Sequence, residues 1–495
     1  MHLHDLPDDV IICLFEQLDV PQILVFRQTC KRMHKISELR SVWINAYNNQ
    51  ILRPCHPFPT DVAIDTLPAS DLECHVRRAF LLATRWLSDG PLCCGVHCEF
   101  DATNGTPVSD LRFLPGHGGT RIIAVSTSIW PIIALWELSD SGAPPLKRFE
   151  WSNRDSLLHN YVINSDKTAD AALAVSVNQG GDTHVEILSI HEELGFRSLG
   201  RIDSTLTPVY FHRDLLVLCD DKDKSVVMNW KSGVSAILRR PESVSQIQTG
   251  IGINDRCIQV MVLVAGILVI RERSLSLFAN PTLTTDPPVV HAPILPVRYF
   301  GWLDGVAAAP ILSSRSIEFN ANSPPPLSVL IRPELDDPWA ADDHKLDLYV
   351  LHPEPTFPLS TTRPYMFPPV LTAQVPSLRG SLQCSDLRLG AHGTAIWIEP
   401  QDRSSGGLLA DAHAPVVRQN ERLVGAVFPG PLFREWAGDP VLGATPISVR
   451  GRTLHANELN NWNALDYDEA RGRVAIGSTR GRITILSLAE LHPSC

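Results

Sequence analysis

Pairs of short apolar strands recur along this chain at a nearly constant interval, and that recurrence constrains the fold more than any single residue does. From about residue 92 onward, runs of β-branched, aromatic or alternating residues are broken by Gly, Asn, Asp and Pro, the punctuation of strands and turns. RIIAVST pairs with IIALWEL across Ser128-Ile129-Trp130-Pro131, and ALAVSVN with HVEILSI across Gln179-Gly180-Gly181-Asp182. DLLVLCD pairs with SVVMNWK across Asp221-Lys222-Asp223-Lys224, ILVIRE with LSLFAN at Arg273-Ser274, and RVAIGST with RITILSL at Arg480-Gly481. The second strands of the first four pairs carry Trp136, Ile187, Trp230 and Leu277, at intervals of 51, 43 and 47 residues. Tyr349, Val427 and Ile485 continue the series at wider intervals. A unit of this size holds about four short strands and cannot bury both its faces, so units stack around an axis. The fold class expected is therefore mainly β, a β-propeller of about seven blades, six and eight being the neighbouring counts and a pair of β-sandwiches the competing architecture. The wider intervals contain Pro- or Gly/Ser-rich insertions at residues 281–293, 352–369 and 400–415, loops of the kind that carry recognition.

The chain has 495 residues, 44% hydrophobic and 20% charged, which suffices for a large core. Its net charge of −11 argues against general nucleic-acid or anionic-membrane binding, since both need net positive surfaces. The 11 Cys are scattered and odd in number, and the opening MHLHDLPDD is acidic and lacks an apolar leader segment. These features predict free thiols in a reducing compartment, cytoplasmic and/or nuclear. The longest apolar stretch, Ile258 to Ile270, is interrupted by Gln259 and Gly266 and reads as buried strand rather than a membrane span.

The first 48 residues have a different period. Leu6, Val10, Ile11, Leu14 and Leu18 lie along one face of a helix, with Pro7 at its start and Asp8 and Asp9 favouring the positive end of its dipole. A second helix restarts after Asp19-Val20-Pro21, and a third carries Met33, Ile36, Leu39, Val42, Trp43 and Tyr47. Three such helices make a small core, and an apolar face in a module of this size commonly belongs to a partner. Leu6-Pro7, the acidic pair, the apolar stripe, Cys30-Lys31-Arg32 and Val42-Trp43 together resemble an F-box over residues 3–47; Cys30 stands where that family often has Ser. The resemblance implies docking on a Skp-type adaptor, and through it on a cullin–RING ubiquitin ligase. Leu6, Pro7, Val10, Ile11, Leu14, Leu18 and Trp43 are the residues it points to, with Leu14 and Leu18 shared between the docking surface and the core.

Residues 49–91 read as a linker. Residues 50–69 hold four prolines and no period, and Ser70-Asp71-Leu72-Glu73 is a capping-box pattern. It precedes a helix expected over 71–88, with Leu72, Val76, Ala79, Phe80, Ala83 and Leu87 in a stripe, and Asp89-Gly90-Pro91 as its stop. That stripe must pack on the helical module or on the propeller of residues 92–495. Trp136-Glu137 stands where a Trp-Asp pair would, and the repeat is thereby similar to WD-repeat propellers, although the other units lack the dipeptide.

Signals of catalysis are weak. Cys93, Cys94, His97 and Cys98 crowd six residues, but in a strand Cys93 and Cys94 point to opposite faces, and no second ligand pair closes a zinc tetrahedron. Gly116-His117-Gly118-Gly119 has no Gly-x-Ser-x-Gly partner to make it an oxyanion loop and reads as a turn between the first two strands of a blade. No catalytic residue, metal or cofactor is assigned. Four Arg cluster near the end, but Arg471 and Arg473 flank the turn before strand 474–479 while Arg480 and Arg482 flank the turn after it, at opposite ends of the ring. Only Arg480 and Arg482 lie on the face where WD-repeat F-box receptors hold substrate, and a phosphodegron-type contact there would suit Arg, which binds phosphate bidentately. The function expected is the target-recognition subunit of a Skp–cullin–F-box ligase, with no nucleic-acid or membrane partner; a propeller scaffold uncoupled from ubiquitylation is the alternative. Finally, the last unit shows three strands and LCCGVHCEF has no blade of its own. Residues 92–100 are therefore expected to pair antiparallel with residues 482–488 and close the ring.

Overall fold

The computed structural model describes residues 6–92, 94–128, 130–139, 143–154, 156–240, 255–285, 288–295, 297–301, 303–312, 324–333, 344–357, 361–377, 386–400, 420–433 and 445–489. The helical module opens with α1 (Asp8–Phe15), whose Ile11 and Phe15 turn inward. The next helix, α2 (Val20–Arg27), starts on a capping box in which the Asp19 N–H donates to Gln22 Oε1 at 2.9 Å. The single third helix expected from sequence is two, α3 (Lys31–Ser37) and α4 (Arg40–Ala46), because Leu39 is extended at ψ 136°. The break frees the Ser37 carbonyl, which accepts the buried Trp43 indole N–H at 2.8 Å and the Arg27 guanidinium at 3.2 Å.

A long helix, α5 (Ala69–Leu87), belongs to both cores. Its first half buries Leu72, Val76 and Ala79 against Ile11, Ile23, Met33 and Trp43. Its second half buries Leu82, Ala83 and Trp86 against the sixth and seventh blades. Glu73, expected to cap its own helix, instead takes a fork-on-fork pair from Arg27 (2.8 and 2.7 Å), and α5 begins without a side-chain cap. At the other end the Arg452 guanidinium donates to the Trp86 carbonyl (2.5 Å) and to that of Ser88, satisfying orphan carbonyls of the last turn. Its charge also lies 5.9 Å from the Trp86 ring centroid.

Among the described residues the strands form seven sheets, each one blade. The inner strands are Val108–Phe113, Ser156–Ile163, Thr207–His212, Cys257–Leu263, Leu303–Pro310, Leu387–Leu389 and Trp462–Asp468. The recurrent pairs seen in the sequence are the second and third strands of their blades, as in Arg121–Thr127 against Pro131–Glu137. Two blades acquire a fifth, parallel strand on the outside. Val289–His291, within an insertion read as loop, joins Ser235–Arg239, and Ile447–Ser448 joins Val370–Pro376.

The ring closes as the sequence predicts, with trimmed limits. Gly95–Asp101 pairs antiparallel with Arg482–Ser487, from Gly95↔Ser487 to Asp101↔Arg482, with a bulge between Val96 and Cys98. Leu92 precedes this strand and packs into the core beneath α5. Inside the ring, Asp466 of blade 7 accepts the Phe113 N–H of blade 1 (2.7 Å) and Arg388 Nε of blade 6 (3.2 Å), lacing three blades around the channel.

Candidate functional site

Two surfaces gather the residues singled out by sequence. The first is the outer side of α1. Val10 and Leu14 are each 40% exposed, Pro7 is exposed, and Leu6 and Leu18 are half-buried. Ile11 and Trp43, counted with them from sequence, are fully buried and so belong to the core of the module rather than to a surface a partner could reach. The reason is angular: neighbours on a helix are about 100° apart, so Val10 and Ile11 cannot share one face. Arg32 holds the first residues in place, donating from Nε to Asp8 at 3.0 Å and from Nη2 to the Leu6 carbonyl at 2.6 Å. Val25 on α2 (66% exposed) and Leu39 before α4 (42%) add exposed apolar area that the sequence stripe did not point to.

The second surface is the end of the propeller formed by turns between second and third strands. Arg480 lies there, exposed, with no ion-pair partner among the described residues. Arg482, beside it, is held by Asp101 (3.2 Å) and Glu99 (3.6 Å) of the closing strand. Arg471 and Arg473 lie at the other end of the same blade. Arg471 pairs with Asp468 at 3.0 Å and with Asp61 of the linker, while Arg473 donates to the Gly119 carbonyl at 2.9 Å. Burial opposes the charge on Asp61, but the hydrogen bond and charge of Arg471 hold its carboxyl below the usual range. The linker thus joins the propeller at the Arg471 end, and Arg480 faces away from the helical module.

The chemistry-bearing motifs are built into structure. Gly116–Gly119 is the turn between the first two strands of blade 1, and burial lowers the pKa of His117. Cys94 packs toward the core under α5, Cys98 toward the seam between blades 7 and 1, and His97 Nε2 meets the Ser139 carbonyl at 3.2 Å. Cys93 lies outside the described residues. Among the described residues no group of three or more His, Cys, Asp or Glu could hold a metal ion, and no helix is long and apolar enough to cross a membrane.

Residues 3–45 match the F-box domain family. Among solved structures the chain is similar to the WD40 domain of Neurospora crassa Pan2, at 9% identity and a TM-score of 0.40, covering 81% of this chain and 96% of that one. It is also similar to a chain in a humanized mutant of the Chaetomium thermophilum Polycomb Repressive Complex 2 bound to the inhibitor GSK126, at 12% identity and a TM-score of 0.44, covering 80% and 97%. No curated protein matches the chain. Residues 3–45 thus form an F-box domain ahead of a seven-bladed propeller.

Proposed function

We propose that this chain is the substrate-recognition subunit of a Skp–cullin–F-box ubiquitin ligase, working inside the cell in the cytoplasm, the nucleus or both. The exposed face of Pro7, Val10 and Leu14, with the edges of Leu6 and Leu18, docks on a Skp-type adaptor. The propeller end bearing Arg480 and Arg482 holds the target protein. Transfer of ubiquitin to a target lysine belongs to other subunits, and this chain contributes proximity, without a cofactor or a catalytic step of its own.

The observation that carries this reading is α5. One helix is buried at its N-terminal half in the F-box core and at its C-terminal half in the propeller core. A target held on the propeller is thereby fixed in distance and angle from whatever holds the F-box. The exposed apolar residues of α1 supply a dry patch for that partner.

The test is capture of a recombinant Skp-type adaptor. Leu6→Asp with Pro7→Ala, and separately Val10→Asp with Leu14→Asp, place charge on a surface that must become dry on docking. Both double variants are expected to lose adaptor binding by at least tenfold at unchanged melting temperature, because all four side chains touch solvent. Adaptor recovery at the wild-type level from both would sink the docking assignment. Adaptor capture with no partner stabilised by ligase inhibition would point instead to a scaffold uncoupled from ubiquitylation.

A further inference from the structure

Two thiols from different blades meet in the seam between blades 3 and 4. Cys219 ends the second strand of blade 3 (Leu215–Cys219), and Cys257 opens the first strand of blade 4 (Cys257–Leu263). Neither is in a disulfide, and both are buried in one apolar cluster with Val217, Val260 and Val269. Their side chains are hydrogen-bonded to each other. The backbone fixes that meeting two residues away on each side, where the Asp255 N–H donates to the Asp221 carbonyl at 2.7 Å.

Arg271 makes the two thiols chemically unequal. It stands opposite Cys257 in register, and its buried guanidinium donates to the Asp255 carbonyl at 2.9 Å and to Ser225 Oγ at 3.2 Å. Ser225 stands opposite Cys219 and lies 3.2 Å from its sulfur. The hydrogen bond with Cys257, the Arg271 charge and the Ser225 hydroxyl hold the Cys219 thiol below its ordinary pKa in spite of burial and of Asp220. The same bond between the thiols, with burial, raises Cys257 well above its own. Cys219 is thus the readier nucleophile, and Cys257 is a neighbour that keeps its proton. Cys219 is 1% exposed and Cys257 7%, so the way in lies beside Cys257 and suits an oxidant little larger than water.

We propose that Cys219 and Cys257 form a reversible oxidation site, which hydrogen peroxide closes into a disulfide that staples blade 3 to blade 4. The Cys219 thiolate takes one oxygen from peroxide; the O–O bond breaks, the other oxygen leaves as hydroxide and takes up the thiol's proton as water, and a sulfenic acid remains. The Cys257 sulfur then attacks the Cys219 sulfur, and its proton leaves with the sulfenic oxygen as a second water. Two thiols give up two electrons and two protons, peroxide is reduced to two waters, and a dithiol reductant restores the pair. The link closes a loop of about 40 residues. It lies at the foot of the turn between the second and third strands of blade 3, so the seam that becomes covalent is at the Arg480 end of the ring.

The test exposes the full chain, reduced and then freed of reductant, to millimolar hydrogen peroxide without denaturant. Remaining thiols are blocked with iodoacetamide during unfolding, and the unreduced digest is read by peptide mass spectrometry. A peptide pair joined through Cys219 and Cys257 is expected as the main intramolecular disulfide, and dithiothreitol added to the folded protein should remove it. Cys257→Ser keeps a hydroxyl donor beside Cys219, and after peroxide this variant, unfolded into dimedone, is expected to carry a sulfenic acid adduct at Cys219. Cys219→Ser should give at least fivefold less adduct at Cys257. No linked peptide in the wild type once the exposed Cys13 and Cys74 are oxidised, a link that forms only in denaturant, or equal adducts in the two variants would overturn the proposal.

Discussion

Cys98 lies on the closing strand with its thiol against the seam between blades 7 and 1, and burial pushes that thiol up to about 11, Arg473 offsetting only part of the effect. A thiol with that pKa carries on the order of a hundredfold less thiolate near neutrality than an ordinary cysteine, and the thiolate is the nucleophile. Cys13 on α1 and Cys74 on α5 are exposed. Iodoacetamide at pH 8 is therefore expected to alkylate Cys13 and Cys74 within minutes and to spare Cys98 until denaturant is added, as read by peptide mass spectrometry. Native labelling of Cys98 at the rate of Cys74 would show that the seam is open. The same contrast between adjacent positions decides the F-box face: Val10 and Leu14 reach solvent while Ile11 and Phe15 complete the core. An apolar stripe shows that one side of a helix is dry, and it leaves open which flank is dried by the core and which by a partner.

At the scale of elements, α5 decides how the modules communicate. A Cβ on Gly425 would meet the Trp86 ring at 2.8 Å, and one on Gly472 would meet Leu82 at 2.6 Å, so blades 6 and 7 are shaped around this helix. Trp86→Ala removes the largest side chain of that contact, a change that costs about 3–5 kcal/mol when the site cannot collapse. Hydrogen exchange should quicken in the second half of α5 and in blades 6 and 7, while Leu72 and Val76 hold the first half to the F-box. Unchanged protection in both blades would show that α5 rests on the propeller without supporting it. The strand pairs and their period were legible because each blade repeats one local pattern, and α1 was legible from its stripe. The rest depended on partners distant in sequence. Glu73 fits a capping box, yet an Arg27 guanidinium within reach competes better than the helix's own N–H groups. The break at Leu39 between α3 and α4 leaves the Ser37 carbonyl to the Trp43 indole, six residues on, and Val289–His291 becomes a strand because an edge was available to it. Arg480 was legible as a candidate, whereas the neutralisation of Arg482 by Asp101 and Glu99 was not: it depends on how the closing strand registers against its partner.

For the whole molecule the deciding contact is the one that closes the ring, between Gly95–Asp101 and Arg482–Ser487. The closing strand and its partner are separated by 381 positions at Asp101 and Arg482, and their pairing completes a blade that otherwise lacks its outer strand. Ile483 and Ile485 of the partner strand are fully buried in the seam with blade 1, near Phe100, whose ring lies 4.8 Å from that of Trp136. Each blade buries one face on its neighbour, so opening one seam exposes apolar surface on two blades and frees a row of backbone N–H and C=O groups. Stability that depends on closure is shared around the ring. Ile485→Asp puts a carboxylate into that seam, where an unpaired charge costs several kcal/mol, on the order of the net stability of a domain. The expected result is one cooperative unfolding transition at a lower temperature, with protection against hydrogen exchange lost in blades 3 and 4 as well as in blades 7 and 1. Removing residues 482–495 should go further and leave the propeller unable to fold, because the closing strand then has no partner and blade 7 keeps two strands. Loss of protection confined to blade 7, with blades 3 and 4 exchanging at the wild-type rate, would mean that the blades stand independently and that closure only tidies the end of the chain.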